Sequence, residues 1–93
     1  MPLFVLHCLD KAGSLDLRLT NREAHLAYVG GRTEVKLGGP LLDDQGDMAG
    51  SLLILEVADK AAAEAFSAAD PYTRAGLWQR VAITAFRASL GQL

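Results

Sequence analysis

The chain is poor in most of the residues that advertise a specialised chemistry. It has one cysteine, Cys8, which excludes an internal disulfide and a CxxC metal pair. With only 2 histidines beside it, and no acidic pair at ligand spacing, a zinc site has too few donors. No P-loop and no GxGxxG occurs, so the expectation is a protein that works without a nucleotide, a metal or any other cofactor. No apolar run approaches the ~20 residues that cross a bilayer. The start of the chain also lacks the basic region, apolar stretch and cleavage site of an export signal, so a reducing, cytoplasmic setting is expected. Positive charge is scarce as well: 9 Lys plus Arg stand against 11 Asp plus Glu, which leaves no basic patch for phosphates and makes nucleic acid an unfavoured partner.

What the sequence does have is apolar side chains. At 93 residues, 51% hydrophobic and 22% charged, it specifies one domain, 1–93, around one core. So small a globule exposes much of its surface, and surplus apolar area is most simply covered by a second copy; a homodimer is therefore expected.

Leu3–Leu9 is apolar on both alternating sets, the mark of a strand covered on both faces. From Ser14, a candidate N-cap, Leu15, Leu19, Leu26 and Val29 recur at helical spacings, with Asp16 at the positive end of the dipole and Gly30-Gly31 as the stop. Thr33–Gly39 alternates like a second strand, and PLLDDQGDMAG follows as a turn-rich connection. Gly50–Val57 is a third strand. Asp59 then caps a helix running through Ala69, whose small face of Ala62, Ala65, Phe66 and Ala69 suits close approach to a sheet. Pro71 bars the helical conformation at Asp70, and Leu77–Phe86 supplies the last strand. The order strand, helix, strand, strand, helix, strand predicts an α+β, ferredoxin-like βαββαβ domain. Its four-stranded antiparallel sheet would carry two helices on one face and dimerise through the other.

Several segments together carry a family resemblance: FVLHCLDKAG at 4–13, the pattern of Arg18, Arg22, His25, Leu26 and Tyr28, then GGPLLDDQGDMAGSLLILEV, and DPYTRAGLW at 70–78. In this order and spacing the chain resembles the YCII-related (YciI-like) proteins over almost its full length. The resemblance implies a ferredoxin-like fold related to the dimeric α+β barrels and a His–Asp active site. By position, the histidine is His25 and the aspartate Asp70.

The chemistry of the pair is coherent. An imidazole titrates near neutrality, and a fixed carboxylate beside it selects the tautomer and stabilises the imidazolium, giving a general base or acid. Each residue also has a plainer role available: His25 as a solvated helix residue on the flank of the apolar stripe, and Asp70 as a helix stop. Around them, Arg22, with Arg18 one turn away, can anchor an anionic group or make surface ion pairs with Asp10 or Asp16. Ser51 lacks a nucleophile elbow and reads as a hydrogen-bond donor to ligand or backbone. Tyr72, Trp78 and Phe86 can wall a pocket or fill the core. His7 can line the same cavity or sit as a core or interface histidine. Asp43, Asp44 and Asp47 miss the ligand spacing of an EF-hand and read as a solvated turn. The leading function is a cofactor-independent enzyme moving a proton on a small anionic metabolite, of isomerase or lyase type. The alternative is a dimeric, non-catalytic small-molecule-binding or accessory module.

Overall fold

The two-sided apolarity of Leu3–Leu9 resolves into a strand at the centre of a sheet. A computed structural model describes all 93 residues. In chain order it contains β1 (Leu3–Asp10), α1 (Leu15–Val29), β2 (Val35–Leu42), β3 (Met48–Glu56), α2 (Lys60–Ala69), a single-turn α3 (Pro71–Arg74) and β4 (Trp78–Phe86). The strands form one antiparallel sheet in the order β2-β3-β1-β4. The ferredoxin-like order of elements is therefore as expected, with α3 an addition that the sequence reading lacked.

Pairing register assigns the two faces. Phe4, Leu6 and Cys8 of β1 stand opposite Leu55, Leu53 and Ser51 of β3 and opposite Ala85, Ile83 and Val81 of β4. Directly opposed residues share a face, so these side chains lie on one side of the sheet. There the buried core gathers Phe4, Leu6, Cys8, Leu53 and Leu55 with Ala63 and Phe66 of α2. Each large apolar side chain buried there contributes about 1.5–3 kcal/mol relative to exposure. Leu3, Val5, His7 and Leu9 take the other side, which no helix covers.

Both helices differ from expectation. In α1 the side chains turned inward are Arg18 and His25, while Leu19 and Leu26 remain 51% and 47% exposed. In α2 the buried residues are Ala63, Phe66 and Ser67, whereas Ala65 and Ala69 are exposed. In α1 the buried positions stand one residue before Leu19 and Leu26, ~100° around the axis, while Leu15 and Val29 stay half-buried; in α2 Phe66 is buried as expected, joined by Ala63 and Ser67 in place of Ala65 and Ala69. The caps also differ. Asp59 does cap α2, its carboxylate accepting from the Ala62 N–H at 2.8 Å, but the Ser14 side chain makes no capping bond.

β2 begins later and runs further than expected, through Gly38, Gly39 and Pro40 to Leu42. A proline is tolerated there because β2 is an edge strand. The connection shrinks to a hairpin turn in which Asp43 accepts from the N–H groups of Gln45 and Asp47, with Gly46 at φ +85°. The acidic loop thus spends its first carboxylate on its own backbone.

Gly50 has a tighter requirement. A Cβ at this position would lie 2.4 Å from the backbone oxygen of Cys8 and 3.2 Å from Leu41. Backbone cannot step aside as a side chain can, so Gly50→Ala is expected to cost about 1–3 kcal/mol, read as a lowered urea midpoint at unchanged m-value. A midpoint equal to wild type would show that β1 and β3 are not held this closely beside Ser51.

Candidate active site

Helix α1 presents a polar face to the sheet, and each buried polar group on it meets a carboxylate from another element. Arg18, 2% exposed, donates through Nε to Asp10 Oδ2 at 2.7 Å and through Nη2 to Asp10 Oδ1 at 2.9 Å. Asp10 is the last residue of β1, so this fork ties the helix to the central strand. Burial alone would lower the Arg18 pKa, but the hydrogen bond and charge of Asp10 outweigh it and leave the guanidinium above its ordinary value. The ion pair with Asp10 was one of the partners foreseen; its depth was not.

Two helical turns further along, His25 Nδ1 lies 2.9 Å and 3.1 Å from the two oxygens of Asp70. Their side chains are only 8% and 4% exposed. A carboxylate accepts from Nδ1–H, so the neutral imidazole carries its lone pair on Nε2. Asp70 performs its structural role at the same time. Its backbone is extended at φ −62° and ψ 130°, ending α2, and its Oδ1 also accepts from the Tyr72 N–H at 2.9 Å to start α3. That N–H places the Tyr72 ring flat against His25, with centroids 4.0 Å apart and an interplanar angle of 14°. The imidazole is thus fixed at its edge by a carboxylate and on its face by a phenol ring.

Tyr72 continues the assembly. The Arg18 guanidinium carbon lies 4.6 Å from its ring centroid, and Trp78 meets it edge-on at 5.5 Å. Burial pushes the Tyr72 phenol pKa up, with Arg18 and Arg22 pulling back, so at neutral pH it is a neutral hydroxyl. Arg18 Nη2 also donates to Ser51 Oγ at 2.9 Å. Cys8, the neighbour of Ser51 across the β1–β3 ladder, is no nucleophile: burial, helped by the Asp70 charge, raises its thiol to about 12.

These side chains line a cavity of about 140 Å³ between α1 and the sheet. Arg18, Arg22, His25, Ser51 and Tyr72 form its polar wall, and Leu26, Val29, Val35 and Leu53 its apolar one. Gly38 and Gly39 of β2 complete it as bare backbone. No nitrogen or oxygen of a buried side chain is sealed away without a partner. His25 Nε2 makes no hydrogen bond within the protein, and His25 lines this cavity.

Five of the residues singled out from sequence therefore converge: His25, Asp70, Arg22, Ser51 and Tyr72. Arg22 is exposed at the mouth and makes no ion pair, whereas Arg18 is the deep cation. His7 is not brought to the site. It is exposed on the opposite face of the sheet, between Leu52 of β3 and Ala82 of β4. Phe86 also lies on that face, and Trp78 braces Tyr72 from outside the cavity, its indole N–H donating to Thr73. The structural weight of Arg18 and the glycine pair of β2 was missed. The signal for Arg18 was present in its spacing of two helical turns from His25.

Comparison with known proteins agrees with this description. A protein named YciI from Escherichia coli is 36% identical over 94 aligned positions, covering 91% of this chain and 96% of that protein. Among solved structures, the 5-chloro-2-hydroxyhydroquinone dehydrochlorinase of Burkholderia phenoliruptrix, in complex with 2,5-dihydroxybenzoquinone, superposes with a TM-score of 0.84 at 35% identity over 91% of this chain and 93% of that one. An antibiotic biosynthesis monooxygenase shares the fold at a TM-score of 0.59 and 16% identity, covering 97% of this chain and 100% of that one. Residues 2–87 match the YCII-related domain, and the chain belongs to that family.

Proposed function

We propose that this protein is a cofactor-independent acid–base enzyme of isomerase or lyase type, in which His25, oriented by Asp70, moves a proton on a small anionic metabolite. The observation that carries the reading is the state of the imidazole: Nδ1 is engaged by Asp70 while Nε2 is free and faces a cavity. A base so held needs no reorganisation when the substrate arrives, and the carboxylate behind it stabilises the imidazolium that forms. Arg22 at the mouth draws in the anion, and Ser51 and Tyr72 shape the polar wall. The cavity, about 140 Å³, is close to the ~150 Å³ that accommodates one benzene ring, so the substrate is a single ring or smaller. The dehydrochlorinase relative, whose named activity is an elimination from one substituted ring, points to the lyase alternative within this class.

A panel of hydroxylated and chlorinated single-ring compounds, beginning with 5-chloro-2-hydroxyhydroquinone, tests the reading by product formation and chloride release. His25→Ala and Asp70→Asn are expected to lose about 10²–10⁴-fold in kcat while ligand-induced thermal shifts persist. Compounds that stabilise wild type and His25→Ala equally, with no turnover by either, would instead make the protein a binding module.

We further propose that two copies pair through the sheet face that the helices leave bare. Leu9, Leu37 and Phe86 there are 39%, 52% and 42% exposed, and Val5 and Leu52 lie between them. Such a contiguous apolar area on a small protein favours a self-complementary interface. Sedimentation equilibrium is expected to give a dimer for wild type and a monomer with an unchanged circular dichroism spectrum for Leu37→Asp. A monomeric wild type at micromolar concentration overturns the pairing.

A further inference from the structure

Tyr28 follows His25 by three residues on α1, close to one turn and on the same side of the helix, but its hydroxyl is spent on the other helix. It donates to the Phe66 carbonyl at 2.8 Å and so joins α1 to α2. The need for this bond starts at Pro71. Proline has no N–H, so the Ser67 carbonyl loses the partner four residues on that a continuing helix would supply. Asp70 fills that gap: its N–H bonds the Ser67 carbonyl at 3.2 Å instead of the Phe66 carbonyl. The vacancy thereby moves back to Phe66, and Tyr28 closes it from α1. Left open, the Phe66 carbonyl would draw the Asp70 N–H back, wind Asp70 onto the helix and turn its carboxylate from His25. With that carbonyl occupied, Asp70 stays extended at φ −62° and ψ 130°, and both its oxygens face Nδ1.

We infer that Tyr28 is a positioning residue for the proposed proton transfer: by capping the end of α2 from α1, it holds Asp70 against His25. Tyr28 is itself well held. Its ring packs on Phe66 with centroids 5.0 Å apart, and the Arg32 guanidinium carbon lies 4.2 Å from its centroid while Arg32 Nε bonds the Tyr28 carbonyl. Burial raises the Tyr28 phenol pKa, with Arg32 pulling it back, so the hydroxyl is the neutral donor that the bond requires. The inference rests on the proton-transfer reading for its catalytic meaning; the positioning is a property of the resting protein and is measurable without turnover.

The test is hydrogen exchange at the imidazole, followed by NMR in protein carrying isotope-labelled histidine. The His25 Nδ1–H is expected as a slowly exchanging resonance, identified by its loss in His25→Ala, whereas the exposed His7 gives none. Tyr28→Phe removes one hydroxyl and keeps the ring. One hydrogen bond changes a local opening equilibrium about fivefold, so the imidazole proton is expected to exchange about fivefold faster relative to the Leu6 amide of β1. A residue that merely stabilises the fold would speed both alike. On a ring substrate that wild type turns over, kcat is expected to fall by a similar factor at unchanged KM. Should Tyr28→Phe not fold, Arg32→Ala, which frees the same ring from the exposed side chain that holds it, decides by the same ratio. No slow imidazole resonance in wild type, an unmoved ratio in the variant, or a kcat equal to wild type overturns the positioning role. The two readings separate. A moved ratio in a protein that turns over no ring substrate removes the proton-transfer reading and keeps Tyr28 as the residue that holds Asp70 on His25. Turnover that depends on His25, with the ratio unmoved, does the reverse.

Discussion

Two carboxylates hold helix α1 against the sheet, and the rest of the site depends on them. A helix that faces inward with Arg18 and His25 cannot be stabilised by apolar contact alone, because an unpaired buried cation costs several kcal/mol. Asp10 from the end of β1 and Asp70 from the break between α2 and α3 supply the partners. Neither belongs to the helix, so each pairing fixes α1 in position as well as satisfying a charge or a hydrogen bond. The orientation of α1 is set at two points, two turns apart, and the imidazole inherits that rigidity.

The cavity is a consequence of the same choice. Leucines on the inward face of α1 would close on Leu53 and Val35 and fill the gap. Arginine and histidine instead reach sideways to their carboxylates and leave space in front. β2 enlarges it by crossing there as glycine: a Cβ at Gly38 would lie 2.4 Å from the Leu53 side chain, and none is present to fill the floor. A pocket with one polar and one apolar wall is what remains when a polar helix face lies over an otherwise apolar sheet.

This also explains how much was legible in the sequence. Strand and helix order follow from alternation, from Asp59 as a cap and from Pro71 as a stop, all of which act locally. The helix faces were not legible by the usual rule, because hydrophobic spacing picks out Leu19 and Leu26, and each stands one residue after Arg18 and His25. In a helix whose inward face is polar, the apolar stripe misdirects by that one position. β2 was obscured for a related reason: Gly38, Gly39 and Pro40 signal a turn in most contexts and are accepted here because the strand is at the sheet edge. His25 and Asp70 came from a family resemblance. The chain alone had no means of bringing together groups forty-five residues apart, since that contact needs the short helix α3 and the bend before it.

Asp70 shows why fold and chemistry are hard to separate in so small a protein. Its Oδ1 is shared between the Tyr72 N–H and His25 Nδ1, and its Oδ2 serves His25 alone. The first bond starts α3 and thereby sets the Tyr72 ring on the imidazole; the second selects the tautomer that leaves Nε2 open. Were the carboxylate only a cap, a serine or asparagine would suffice at this position, since either satisfies a backbone N–H. Neither carries the negative charge that an imidazolium requires. Under the proposed proton transfer, the burial of Asp70 to 3% exposure matches its charge to a partner that gains a proton, because desolvation then strengthens the pairing at the moment charge is formed.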